Sequence, residues 1–403
     1  MHVAALEWLT FGLARMTEAA HRRGLTLHLL TADRTEYASE LRRIPPGHLV
    51  VHDVDTSDAT RVAKQLRTIH GLAGLISTTD VGSRVALEVA AELGLPSQNA
   101  DAVRLARDKA ALRRHLHGAG LSRASQVTVD PFAPDAAAVS GTLSYPAVLK
   151  DVSGTGSEGV WIAYGPDDVP GILGAARNGR LRGGALTAEP YFTGPLYSAE
   201  TLSWDGETRL LGVSSRLLSP LPYFREEGEA FPVALPAPRR EELSAWVSAV
   251  LDGIGHRGFS HTEFIVTDDG FEIVEINPRM GGGLIGELLC GAFDADIHAA
   301  FVDMALGNRP ALFDAPLVPV RGMSEVHLIA DRTGVFDGFE GEHLLTGHPG
   351  SPRLHSARVP GQTVDSITDW RGSVGSVLAE GDTAELAMHN AAAAARLVRP
   401  RII

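Results

Sequence analysis

The chain has 403 residues, with 36 Lys and Arg against 49 Asp and Glu, a formal charge of −13. Its 44% hydrophobic and 21% charged residues are ordinary for a globular protein. This excludes broad disorder, and the acidic balance argues against a nucleic-acid surface while allowing a local basic pocket for a nucleotide.

At roughly 100–200 residues per domain, the length suggests two to four domains. The one cysteine, Cys290, excludes an intramolecular disulfide and any cysteine-based zinc site, and it fits a reducing cytoplasm. The apolar run Met1–Leu13 is interrupted by Glu7 and has no basic residue before it, so no signal peptide is expected. No window of about 18 apolar residues occurs, so no membrane span is expected either.

The first segment alternates strand and helix. Apolar runs at His2–Leu6, Leu25–Leu30, Leu49–Val54 and Leu72–Ser77 read as strands. Helical spacing fits Gly12–Arg23, Ala59–His70 and Val81–Leu93 between and after them. Such alternation predicts a parallel α/β sheet over residues 1–96. No G-x-G-x-x-G follows the first strand, so a dinucleotide fingerprint is absent.

The second segment, 97–317, opens on a helical stretch, Asp101–Gly118, carrying Lys109. Strands at Ser125–Val129 and Ala147–Lys150 follow, and hairpin signals at Asp205-Gly206, Gly212 and Asp269-Gly270 predict antiparallel sheet. Helices are expected at Asp167–Ala176 and Pro238–Ile254. The last segment, 318–403, has short strands around Ser324–Ala330 and closes on a helical stretch, Thr383–Leu397.

The most informative stretch runs from His261 to Gly283. Two apolar strands flank Asp268-Asp269-Gly270, so it reads as a hairpin with Glu263 on the first strand and Glu275 and Asn277 on one face of the second. A hairpin brings Glu263 opposite Glu275, unless a bulge spoils the register. Two carboxylates and an amide oxygen then form a hard-oxygen site that suits magnesium. Arg279 would clamp a carboxylate or phosphate beside it. Gly281–Gly283 precedes a helix-like run, Leu284–Ala292, whose first amides would bind a substrate carboxylate; Gly282 and Gly283 are the candidates.

A second stretch runs from Tyr145 to Val160. Lys150 ends a strand, and Ser153, Gly154, Gly156 and Ser157 belong to the small-residue loop after it. Such loops let backbone amides approach phosphate, although a glycine-rich hairpin loop that binds nothing looks the same. A third stretch, Glu189 to Gly194, reads in isolation as a turn.

Together these stretches resemble the ATP-grasp superfamily, and within it the carboxylate–amine ligases that include L-amino acid ligases. The resemblance covers nearly the whole chain. It implies an N-terminal α/β domain (1–96), an ATP-grasp domain (97–317, its nucleotide-binding lid at about 115–190) and a small C-terminal domain (318–403). It further implies magnesium, or manganese in its place, on Glu263, Glu275 and Asn277, and ATP phosphates on Lys109, Lys150 and the Ser153–Gly159 lid. Glu189, Tyr191 and Phe192 would surround adenine, and Arg279 would hold the acyl phosphate or carboxylate. Relatives carry an acidic ribose contact where this chain has Leu196 and Tyr197, so that contact is unassigned.

The implied reaction moves the γ-phosphoryl group of ATP onto a small carboxylate, and an amine then attacks the acyl phosphate. The catalytic candidates are Arg279, Lys150 and, as a base acting on the amine, His261, whose alternative is a structural or substrate-contacting histidine. Glu200 reads equally as a substrate contact or a surface residue. Of Arg216, Tyr223, Phe224 and Arg225, some would shape the acceptor pocket. The partners are small-molecule carboxylate and amine substrates, with no nucleic acid, no membrane and a homodimer as an option. A purine-pathway or biotin-carboxylase-like enzyme is the alternative chemistry, and a non-catalytic ATP-binding regulator the alternative class.

Overall fold

The computed structural model describes residues 1–132, 139–179 and 181–403. The N-terminal unit is a four-stranded parallel sheet in the order β3-β2-β1-β4, from β1 (His2–Leu6), β2 (Thr26–Thr31), β3 (Leu49–Asp53) and β4 (Leu72–Ile76). Helices α1 (Leu13–Arg22), α2 (Ala38–Leu41), α3 (Ala59–Leu66) and α4 (Ser83–Leu93) connect and cover it. Its strands are apolar runs and not alternating ones because both faces are buried: Val3 and Ala5 enter one core while Ala4 and Leu6 enter another.

The expected single helix over Asp101–Gly118 is two helices, α5 (Ala100–Arg107) and α6 (Lys109–Gly118). Asp108 breaks it: its backbone is extended and its carboxylate caps the Ala111 amide at 2.8 Å. Asp favours such a cap over a helix interior because it satisfies an otherwise orphaned donor. Lys109 therefore starts a helix, and its own amide bonds Val152 O at 3.0 Å.

A second four-stranded sheet, antiparallel, orders β5 (Val127–Val129), β8 (Leu186–Pro190), β6 (Ala147–Asp151) and β7 (Val160–Ala163). Helix α7 (Val169–Asn178) covers it, contributing Val169, Ile172 and Leu173 to its core.

The largest sheet has eight strands in the order β13-β12-β9-β10-β11-β14-β18-β16. The hairpin β9 (Leu196–Trp204) to β10 (Glu207–Leu218) turns at Asp205-Gly206, as expected. Gly212, read as a turn signal, instead lies within β10 beside a register shift after Leu210. Strands β11 (Glu226–Phe231), β12 (Gly258–Thr267) and β13 (Gly270–Asn277) follow, with α8 (Ala237–Gly253) between β11 and β12. The sheet then continues past residue 318 without a break: β14 (Gly322–Ile329) pairs with β11, β18 (Ser373–Gly381) with β14, and β16 (Arg353–Ser356) with β18.

A three-stranded sheet of β15 (Gly334–Glu340), β17 (Thr363–Val364) and β19 (Arg399–Ile402) completes the C-terminal part. The chain ends on β19, beyond the helix α11 (Ala384–Ala395) expected to close it.

Helices α9 (Ile285–Phe293) and α10 (Ala299–Ala305) join the units. Leu288, Leu289, Phe301 and Val302 share one core with Leu13, Met16 and Leu27 of the N-terminal unit and Phe231 and Met323 of the large sheet. Full burial of each such side chain contributes about 1.5–3 kcal/mol. Arg15 adds a bidentate pair to Glu287 at 2.7 Å.

Candidate active site

The units enclose a large cleft of about 830 Å³, open to solvent. That lies towards the upper end of the ~300–1,000 Å³ of small-molecule pockets, room enough for a nucleotide. Its lining gathers Lys109, Lys150, the glycine loop, Glu189, Tyr191, Phe192, His261, Glu263, Glu275, Asn277, Arg279, Gly282 and Gly283. Ser153, also expected at the nucleotide, stands at the foot of the loop, its amide bonded to Asp151 Oδ1 at 3.0 Å.

The β12–β13 hairpin has the register that the site requires. Glu263 pairs directly with Glu275, His261 with Asn277, and the bulge falls after Glu263, past the critical pair. The side-chain period of two therefore sets Glu263, Glu275 and Asn277 on one face. Lys109 Nζ lies 3.3 Å from Glu275 Oε2, and Arg216 Nη2 lies 3.9 Å from Glu263 Oε1. Burial alone would raise the Glu263 carboxyl, but His261 and Arg216 overcome it and hold it at about 2. An all-oxygen donor set turned into a cleft fits a hard divalent cation.

Each lysine is held by two protein acceptors. Lys109 Nζ donates to Gly154 O at 2.6 Å and faces Glu275. Lys150 Nζ donates to Val274 O at 3.0 Å and pairs with Glu189. An ammonium has three donors, so one on each remains for a phosphate. Burial pushes the Lys150 ammonium down, against the pull of Glu189. Glu189 is also gripped by Arg113 Nε at 2.8 Å. Arg113 was missed from sequence, yet it stands four residues after Lys109, on the same face of α6. Tyr191 spends its amide on Pro146 O at 2.8 Å, so it cannot read a ligand edge through that group. Tyr197 packs on Phe264 within an aromatic core, whereas Leu196 lines the cleft.

His261 is not an open base. Nδ1 lies 2.9 Å from Glu200 Oε1 and Nε2 lies 2.6 Å from Arg216 Nη1. Burial lowers the imidazole, but Glu200 outweighs it and leaves the ring raised to about 9. A protonated ring has no lone pair to offer, and a neutral one has Nε2 accepting from Arg216. Glu200 is thus neither a surface residue nor a cleft contact. It is 2% exposed and also accepts from Ser198 and Ser214 at 2.9 and 3.0 Å. Arg216, Phe224 and Arg225 line the cleft, while Tyr223 is exposed.

Arg279 is clamped from the N-terminal unit. Asp80 Oδ1 accepts from Nε at 3.0 Å and Oδ2 from Nη2 at 2.5 Å, while Nη1 donates to Met280 O and Nη2 approaches Asn277 Oδ1 at 3.3 Å. Arg107 stands 3.2 Å from the same aspartate. Burial would raise the Asp80 carboxyl, but Arg279 overcomes it and holds it at about 2. The fork expected to grip a substrate is spent on Asp80 in this conformation. No local pattern around Asp80 reveals it, because its partners lie about 30 and 200 residues away.

The expected anion site at the start of α9 is partly filled as well. The Leu284 amide donates to Glu325 Oε1 at 2.5 Å. That carboxylate holds the position proposed for substrate, leaving Gly282 and Gly283 at the cleft wall.

The glycine loop is folded down over the cleft. Ser157 Oγ donates to Phe224 O at 2.6 Å, the Trp370 amide meets Gly156 O at 3.4 Å, and Glu158 pairs with Arg182 and Arg371 at 3.1 and 3.4 Å. Gly156 has φ +60°, and a Cβ there would overlap the Trp370 indole. Both constraints select glycine.

The chain is similar to known proteins along most of its length. Residues 106–283 match the family model described as ATP-grasp domain, and residues 326–402 match L-amino acid ligase C-terminal domain 2. An uncharacterized protein, y4rH of Sinorhizobium fredii, is 25% identical over 370 residues, covering 90% of this chain and 75% of its own. Carnosine synthase 1 of Gallus gallus is 28% identical over 358 residues, covering 80% of this chain and 38% of its own. The chain therefore spans about two fifths of that synthase. Among solved structures, L-amino acid ligase from Bacillus licheniformis superimposes with a TM-score of 0.81 at 19% identity, covering 100% of this chain and 98% of that one.

Proposed function

We propose, from the premise that this chain belongs to the ATP-grasp carboxylate–amine ligases, that it activates the carboxylate of an amino acid with ATP and joins it to the amine of a second substrate. The products are an amide, ADP and phosphate. One observation carries the reading: Glu263 and Glu275 stand opposed on neighbouring strands with Asn277 on their face, and Lys109, Lys150 and Arg279 line the same cleft. The L-amino acid ligase C-terminal match favours peptide-type ligation over purine-pathway or biotin-carboxylase chemistry.

Phosphoryl transfer needs positioning and charge neutralisation more than covalent help from the protein. Glu263, Glu275 and Asn277 would hold magnesium, which when bound neutralises the β- and γ-phosphates. Lys109 and Lys150 would each give their remaining N–H to the phosphates. Glu189 fixes Lys150 from behind, and Phe192 would meet the purine. Arg279 keeps one Nη1 N–H beyond its protein partners, and it would offer more of its fork to the acyl phosphate only as Asp80 lets go. The loop over Gly156 would exclude water, which otherwise hydrolyses an acyl phosphate. With His261 engaged on both nitrogens, the amine would enter neutral or lose its proton to solvent or substrate. We place the enzyme in the cytoplasm on its cysteine usage, with a homodimer as an option.

The test is a screen of amino-acid pairs for ADP and phosphate release, with the amide identified by mass spectrometry. The reading expects turnover that requires both substrates. Turnover with bicarbonate and no amino acid would replace it with the carboxylase chemistry.

A further inference from the structure

A second carboxylate pair repeats the local plan of the first. Glu229 of β11 stands directly opposite Glu325 of β14, as Glu263 stands opposite Glu275. His327 follows Glu325 by two residues, on the same face, as Asn277 follows Glu275. Ligand atoms of the three side chains all lie within 4.8 Å of one another.

Glu229 is 2% exposed and Glu325 is fully buried. One oxygen of each, Oε2, has no hydrogen-bond donor among the described residues. Two carboxyl groups opposed across a strand pair repel when both are ionised, and burial together with Glu325 pushes the Glu229 carboxyl up. The compensation present is thin. Arg216 Nη1 lies 3.5 Å from Glu229 Oε2, but Arg216 also serves Glu226, Glu263 and His261. His327 Nδ1 lies 3.7 Å from Glu325 Oε2, and the Leu284 amide reaches only Oε1. Across this pocket Glu200, Glu226, Glu229, Glu263 and Glu325 face Arg216, His261 and His327, with the Arg225–Glu227 pair also beside His327.

We propose that Glu229, Glu325 and His327 bind a divalent transition-metal ion, separate from the magnesium of the nucleotide site. Two carboxylate oxygens and one imidazole nitrogen suit Zn²⁺, Mn²⁺ or Co²⁺ better than Mg²⁺. Ser376 Oγ lies 2.9 Å from the same nitrogen, His327 Nδ1, and holds the ring in place until an ion takes that nitrogen. His327 lines the cleft, which gives an ion its way in. Gly283 lies against the cluster with φ +57°, and a Cβ there would overlap Glu325 Oε1. The ion would therefore brace the Gly282–Gly283 wall from behind and tie β14 to β11.

The test is equilibrium dialysis of the full chain without nucleotide against Mn²⁺ or Co²⁺ alone. A Glu275→Gln background removes the competing carboxylate site. That protein is expected to retain one ion per chain. Adding Glu325→Gln or Glu229→Gln should weaken retention at least tenfold. His327→Gln should shift the visible absorption bands of bound Co²⁺, a reading taken on folded, ion-loaded protein. No ion on Glu275→Gln, or retention and Co²⁺ bands indifferent to all three substitutions, overturns the site. So does a chain that retains no metal but loses affinity for a basic amino acid on Glu325→Gln, since the pair would then bind a substrate cation. Dialysis reads no turnover, so its failure leaves the ligase reading untouched.

Discussion

Asp80 and Arg279 join the N-terminal unit to the end of the β12–β13 hairpin through one bidentate pair. Both side chains are largely buried, at 9% and 17% exposure. Breaking such a pair from one side costs about 3–5 kcal/mol. Asp80→Asn should therefore lower the melting temperature by several degrees while kcat stays within tenfold. Arg279→Lys keeps the charge but loses the fork, so it should lower both, with kcat falling at least a hundredfold. A lysine variant with normal kcat, or an activity loss in both variants that only tracks unfolding, removes Arg279 from the chemistry. The pair also sets a pH dependence. The Asp80 carboxyl is depressed to about 2 from an ordinary 3.8, so its contribution is full above about pH 4 and is lost as pH falls towards 2. That depression corresponds to about 2 kcal/mol. Acid unfolding of Asp80→Asn should lack that increment of steepness. For the lysines, Lys150→Ala should weaken binding of a non-hydrolysable ATP analogue at least tenfold, from a charge-assisted contact of about 1.5–3 kcal/mol. It should do so by more than Lys109→Met, because Lys150 stands at the end of the strand that leads directly into the glycine loop. The reverse order would mean that Lys109 is the principal phosphate ligand.

Among the elements, the glycine loop rests on the Trp370 segment, and on the proposed reading the two would work as lid and latch. Trp370→Ala removes the surface on which Gly156 rests and should speed ADP release while raising ATP hydrolysis without amide formation. Unchanged ADP-to-amide coupling would show that the latch is idle. Which elements were legible in the sequence follows from how local their causes are. The β12–β13 hairpin announces itself through a two-residue turn between alternating strands, and period-two geometry brings Glu263, Glu275 and Asn277 together. The break at Asp108 was missed because apolar spacing continues across it, and only the capping chemistry of one aspartate reveals it. Glu200, Asp80 and the Glu229–Glu325 pair were illegible because their partners come from strand order. Nothing local to Glu325 says that β14 will lie beside β11.

The whole molecule is organised around a sheet that crosses the boundary expected at 317–318. The C-terminal part therefore lays β14 along the ATP-grasp strands and sends Trp370 and Arg371 back to the lid. The parallel N-terminal sheet was legible from alternating strand and helix, whereas its docking through α9 and α10 was not: the helix-like run Leu284–Ala292 gives α9 but not its packing partner, and nothing local singles out α10. On the proposed reading, the opposed carboxylates Glu263 and Glu275 hold the metal for an amide-forming, ADP-producing reaction. The most direct measurement follows ADP and amide together, with saturating ATP and paired amino acids, for the wild-type chain and Glu275→Gln. The account predicts equal amounts of ADP and amide from the wild type. It predicts less than a tenth of that rate from a Glu275→Gln protein that melts normally, a barrier increase above about 1.4 kcal/mol. A folded Glu275→Gln that keeps more than a tenth of the rate would contradict it.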